Sequence, residues 1–303
     1  MKKRRKSAGI LLAGLLLAGC NSNERNNTKA TESTESFEVP FDGKLSHVHG
    51  MGYAGNDGGL YFASHHGLKI YREGEWLETK GNFHDYMGFN AVDKGFYTSG
   101  HPEAHSALPN PLGIQRSFNG GETIEEIAFE GETDFHAMAV GYYSHDIFLF
   151  NPAKNSLLET GFFKSSDKGD TWKPVKAVGL IGEIAGFALH PLDSNYVAAA
   201  TSEGVFFSSD AGDSFDRITD ERGTAVFFTE DHLYFGSYGT TAALMKYTVE
   251  NKETEPLVLP EMQEDAIAFI SQNPADESEL ALYTFKGRIH VSTDHGKLWE
   301  SLQ

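Results

Sequence analysis

Between residues 184 and 218 the chain breaks into short apolar-rich runs, Ile184–Leu189, Tyr196–Thr201, Gly204–Ser208 and Phe215–Ile218, divided by Gly-, Ser- and Asp-rich turns. Runs this short, rich in β-branched and aromatic residues, predict strands and not helices. The grouping starts afresh near His47, Tyr86, Phe135, Ile184, Thr224 and Ala266. The pattern therefore predicts an all-β chain of six units, each of four strands, A to D. Segment Phe37–Val39 is a further candidate edge strand that helps close a ring.

A turn phrase marks the same period. It reads Ser165-Ser166-Asp167-Lys168-Gly169-Asp170-Thr171-Trp172, returns as Ser208-Ser209-Asp210-Ala211-Gly212-Asp213-Ser214-Phe215, and again as Ser292-Thr293-Asp294-His295-Gly296-Lys297-Leu298-Trp299. Ser117-Phe118-Asn119-Gly120-Gly121-Glu122-Thr123-Ile124 is a weaker copy, with Asn for Asp. Serine-to-serine spacings of 48, 43 and 84 give a period near forty, the last interval holding two units. A period of that size argues for a propeller. The phrase resembles the Asp-box, or BNR repeat, of sialidase-like and sortilin-like β-propellers. The resemblance implies six four-stranded blades, with seven as the alternative count, and Asp-box turns between the outer strands. In that reading the Asp caps backbone N–H groups and the glycine takes a left-handed conformation, so the box is structural.

The N-terminus changes the picture of location. Lys2, Lys3, Arg4, Arg5 and Lys6 precede an apolar stretch over residues 8–18 that is too short to span a bilayer comfortably. It ends in Leu17-Ala18-Gly19-Cys20, which resembles a bacterial lipobox. The resemblance implies a lipoprotein signal peptide over 1–19, acylation of Cys20, and a protein held on the extracytoplasmic face of the cell membrane. Residues 20–36, rich in Asn, Ser, Thr and Glu, read as the lipidated cysteine and a flexible tether, and residues 37–303 as a single propeller domain. Cys20 is the only cysteine, so stability rests on a packed core and not on an internal disulfide. The precursor charge is −18; losing residues 1–19 removes five basic residues and no acidic one, giving about −23. That balance argues against a nucleic-acid partner.

Nine of the thirteen histidines lie between residues 47 and 145, at matching points of the repeat. The start of strand A, the end of B and the B–C loop share one face of a propeller. His47 and His49 open the first unit's A strand, and His65 and His66 end its B strand. His84 and Asp85 precede the second unit's A strand; His101, Glu103 and His105 follow its B strand. Asp134 and His136 open the third unit. All of these map to one face of three adjacent blades, whereas His145, His190, His232 and His295 map to the opposite face and His290 falls in a C strand. His47, His49 and His136, then His66, His84 and His101, are the candidate metal ligands. Imidazoles with an optional carboxylate suit zinc, copper or iron. Met51, Met87 and Met138, deeper in the A strands, read as core. The turn-rich segment from Ser99 to Gly113 is a candidate lid.

The segments His47-Val48-His49-Gly50, Ser99-Gly100-His101-Pro102 and Phe135-His136-Ala137-Met138 are similar to those of bacterial lipoproteins labelled glycosylhydrolases. Sialidases grip the substrate carboxylate with three arginines. Here only Arg222 and Arg288 map to the histidine-rich face, so that chemistry lacks its anchors. Another glycosidase needs two carboxyl groups roughly 5–9.5 Å apart. Asp85, Glu103 and Asp134 are the candidate catalytic carboxylates, with Glu183 and Asp265 on the same face. The alternative is a non-catalytic surface receptor or accessory protein that binds a metal, a glycan or a peptide.

Overall fold

The computed structural model describes residues 36–302, which belong to one compact unit, Ser36–Gln303. The expected signal peptide, Cys20 and the expected tether up to residue 35 lie outside the described residues. Among the described residues there is no helix, and hence none long and apolar enough to cross a membrane.

The strands form six antiparallel sheets arranged as a six-bladed propeller. Within each blade, A pairs with B, B with C and C with D. The inner A strands are Val48–Tyr53, Asp85–Val92, Met138–Val140, Ile184–Leu189, Arg222–Phe228 and Ile267–Asn273. The fourth blade reproduces the strands expected from the sequence within a residue at each end. The edge strand is real but does something else. Glu38–Pro40 pairs only with Glu75–Thr79, the outer strand of blade one, and makes that sheet five-stranded. The ring closes instead by packing. Val48, Met51 and Phe62 of blade one share a core cluster with Ala281, Tyr283 and Ile289 of blade six.

Similar inter-blade clusters hold the other interfaces. Phe148 of blade three meets Phe187 edge-on, with ring centres 5.1 Å apart, and packs near Phe215 at the end of the fourth blade's repeated turn. Each fully buried ring of this kind contributes on the order of 1.5–3 kcal/mol. In the four turns the serine hydroxyl accepts the glycine N–H and donates to the side-chain carboxylate oxygen of Asp or amide oxygen of Asn, as in Gly212 to Ser208 (2.9 Å) and Ser208 to Asp210 (2.8 Å). The same Asp210 oxygen accepts the N–H of Ser214 at 2.8 Å. These carboxylates are spent on the turn, which holds Asp167, Asp210 and Asp294 below the ordinary carboxylate range by hydrogen bonding.

Two glycines let blades one and two approach closely at the channel. A Cβ on Gly50 would lie 2.6 Å from the Cβ of Phe89, and one on Gly52 would lie 2.7 Å from the Cβ of Ala91. The histidine-bearing strand ends are therefore brought near each other by missing side chains.

Candidate functional site

The six inner strands line a central channel of about 670 Å³, and His49 and His136 stand on its wall. His49 is the extra residue of a bulge in the first A strand, where the register shifts between Val48 and Gly50. His65 follows the paired B strand, so the two rings meet edge to face at 4.6 Å. Their Nε2 atoms are 3.1 Å apart. His65 Nδ1 lies 2.7 Å from Oδ2 of Asp85, the first residue of the second blade's A strand. A carboxylate oxygen only accepts, so Nδ1 carries the hydrogen and His65 turns the lone pair of Nε2 toward His49. His47, which has a left-handed backbone, adds its ring 4.9 Å from that of His65 at the rim.

These groups make a donor set. One nitrogen each from His49 and His65 and one oxygen of Asp85 lie within 4.8 Å of one another. Metal–nitrogen bonds of about 2.0–2.1 Å place neighbouring ligand atoms about 3 Å apart, which the two Nε2 atoms already satisfy. The other Asp85 oxygen, Oδ1, is buried without a hydrogen-bond partner. Burial lowers the pKa of His49, and the neighbouring His65, His136 and His47 act in the same direction against Asp85, so His49 stays neutral as a ligand must be. Two imidazoles, one of them oriented by a carboxylate, at a half-open mouth fit a zinc, copper or iron ion with free coordination positions.

A second group stands on blades two and three. His136 Nε2 lies 2.6 Å from Asp134 Oδ2, and His101 Nε2 lies 3.2 Å from the same oxygen. Ser99 Oγ donates to Asp134 Oδ1 at 3.3 Å and accepts the Phe135 N–H at 2.9 Å. His101 Nδ1 faces the amide oxygen of Asn110 at 2.7 Å, so the segment proposed as a lid supplies a prop for His101.

The structure separates the remaining candidates from this cluster. His66 points outward into solvent, and the neighbouring His65, absent from the six ligands chosen from sequence, takes the inward place. His84 is buried, and its Nδ1 accepts the Glu103 N–H at 3.1 Å. The neutral ring must then carry its hydrogen on Nε2, which removes it as a ligand; burial lowers its pKa, opposed by the Glu103 carboxylate. His105 is exposed on the long loop with a left-handed backbone. Of the three carboxylates considered for catalysis, Asp85 and Asp134 are engaged by imidazoles and Glu103 stands beside His84. On the other face His145 is fixed between Asp93 and Tyr97, and His190 between Glu230 and the amides of Leu192 and Asp193. Arg288 and Asp265 face each other at 3.8 Å in blade six.

No protein-family model matches the chain, and no curated protein matches it. Solved structures share its architecture. YCF48 from Cyanidioschyzon merolae is 14% identical over 88% of this chain and 87% of its own, with a TM-score of 0.52; YCF48 bound to D1 peptide gives the same score. An ancestral GH74 enzyme is 13% identical over 88% of this chain and 39% of its own, at 0.54. The WD40 domain of Neurospora crassa Pan2 is 14% identical over 84% and 79%, at 0.52. At such identities the likeness is one of fold. The chain is a β-propeller, and its chemistry must be argued from its own residues.

Proposed function

We propose that this protein is a lipid-anchored, extracytoplasmic propeller of the Asp-box class that holds a divalent transition metal at the channel mouth and uses it to capture a ligand. The observation that carries the reading is the convergence of His49 Nε2 and His65 Nε2 beside an Asp85 carboxylate with one buried, unpartnered oxygen. His49 and His65 would hold the ion through their Nε2 atoms, Asp85 would orient His65 from Nδ1, and His47 would flank the ion. An ion with so few protein ligands keeps positions open for a donor atom of a glycan or peptide entering the channel. The Leu17-Ala18-Gly19-Cys20 sequence supports acylation at Cys20 and display outside the cytoplasm.

Binding is favoured over glycoside hydrolysis because Asp85 and Asp134, two of the three carboxylates considered for catalysis, already serve imidazoles. The similarity of several segments to lipoproteins labelled glycosylhydrolases, with a GH74 enzyme among the structural neighbours, keeps a glycan as one ligand class. Competition titration with zinc and cobalt tests the reading. The purified protein should bind, and His49→Ala with His65→Ala should abolish binding at this centre without unfolding the domain. Binding unchanged by the double substitution sinks it.

A further inference from the structure

We infer that the ligand captured at the mouth is a short extended peptide with free ends, its C-terminal carboxylate on the metal and its N-terminal ammonium at the far end of the channel. This rests on the metal reading of His49 and His65 and names the ligand class of the same site.

The channel is one continuous cavity of about 670 Å³, a size usual for small-ligand sites, and its two ends differ in charge. At the histidine end an ion on His49 and His65 keeps open positions that suit an anionic oxygen. At the opposite end Glu230 and Asp231 stand between the A and B strands of blade five, and Glu277 near the start of the B strand of blade six, all exposed. Lys246 at this end is already paired with Glu255 at 2.5 Å. Burial, and then the carboxylates of Glu230, Asp93 and Glu277, raise the Tyr143 hydroxyl above its ordinary range. These acids from three blades therefore gather round one ring, which is 43% exposed. An exposed aromatic face among carboxylates suits an ammonium group, by charge and by cation–π attraction.

Between the ends the wall fits a peptide backbone. Among the described residues, no Asp, Glu, Lys or Arg of an inner strand lines it, and Met51, Phe89, Phe187, Phe227 and Phe269 give it apolar surface. Polar groups come from the strands themselves. Each inner strand pairs on one side only, with its own B strand, so its other edge turns peptide N–H and C=O groups toward the axis. In blade three the Asn90 side chain already answers that edge, donating to the Met138 carbonyl at 3.1 Å and accepting the Val140 N–H at 3.1 Å. An amide thus lies against one inner edge, and a bound peptide would place its own amides against another. Blade four has the room: a Cβ on Gly186, which lines the channel, would meet no atom within 4 Å.

Length agrees with charge. Inner strands of six and seven residues make the channel about 20 Å deep. An extended peptide of about five residues carries its two charged ends nearly that far apart. A neutral glycan answers neither charged end.

Equilibrium dialysis of the zinc-loaded protein against a pool of pentapeptides of Gly, Ala, Leu and Phe tests this, beside the same pool amidated at the C-terminus or acetylated at the N-terminus. The free pool should bind about tenfold or more tightly than the amidated pool, and about two- to fivefold more tightly than the acetylated one. Removing zinc should abolish the first difference and keep the second. Gly186→Leu, which fills open space, should lose peptide and keep zinc. Glu230→Gln combined with Glu277→Gln should erase the acetylation difference. Equal binding of the three pools, binding of none, or a Gly186→Leu variant that takes peptide as the wild type does, overturns the peptide assignment; zinc retained by the wild type then leaves the metal reading standing. A wild type that takes up no zinc before any peptide is added overturns both.

Discussion

Asp85→Asn separates the electrostatic role of this carboxylate from its shape. Asp85 Oδ2 receives the His65 Nδ1 hydrogen at 2.7 Å, and the side chain is 22% exposed. The amide keeps the volume but loses the charge, which roughly halves the strength of the bond to His65. It can also turn its NH2 toward Nδ1; His65 would then carry its hydrogen on Nε2, pointing at His49, and be lost as a ligand. Losing a carboxylate that orients a metal-binding imidazole costs about 10–100-fold in affinity, or roughly 1.4–2.7 kcal/mol. Competition against a chromophoric chelator at pH 7.5 measures it, with thermal unfolding of the metal-free protein as the control for folding. The expected outcome is at least a tenfold weaker zinc affinity and an almost unchanged metal-free melting temperature. An affinity within threefold of wild type would refute the assignment of Asp85 to the metal centre.

Other consequences follow from the same contacts. Gly100→Ala should destabilise the fold by about 3 kcal/mol or more and weaken metal binding, because the new Cβ would lie 1.9 Å from the Asp85 carbonyl oxygen on a backbone with φ of +124°; equilibrium urea unfolding reads this, and a neutral effect would contradict it. Ser208→Ala, which leaves the Gly212 N–H without its buried acceptor, should cost about 1–2 kcal/mol in the same assay and leave metal binding intact. Burial lowers the pKa of His290 and of His84, so the folded state holds fewer protons than the unfolded one below the ordinary value of 6.5. Their contribution is thus present above pH 6.5 and lost as pH falls below it; His290→Leu should flatten the fall in melting temperature between pH 7 and 5.5, and an unchanged slope would remove His290 as a cause. Cys20→Ser should move the protein from the detergent to the aqueous phase in detergent partitioning, whereas an unchanged distribution would argue against a lipid anchor.

The blade phase was legible because the turn phrase fixes where strand C ends, and strand alternation propagates that position through each unit. The same counting placed the His-rich strand ends on a common face. It failed where the backbone departs from period two. A bulge at His49 and another between Met87 and Asn90 shift which residues face which neighbour. At the adjacent pair His65 and His66 a one-residue error in the strand end exchanges inward for outward, so the sequence pattern favours His66 where the fold turns His65 inward. His84 was lost to a contact that spacing does not reveal, the amide of Glu103 from the long loop. Asp85 and Asp134 were legible as face-side carboxylates but not as imidazole partners. The signal was present: each stands where the A strand of one blade opens beside the end of the B strand of the blade before, where His65 and His101 lie.

Elemental analysis of the zinc-loaded protein, after exhaustive dialysis against metal-free buffer, tests the central claim most directly when run beside His49→Ala/His65→Ala. The account predicts retained zinc in the wild type and one equivalent less in the double variant, with both proteins folded. Absence of retained zinc in the wild type, or equal zinc in the two proteins, would contradict it.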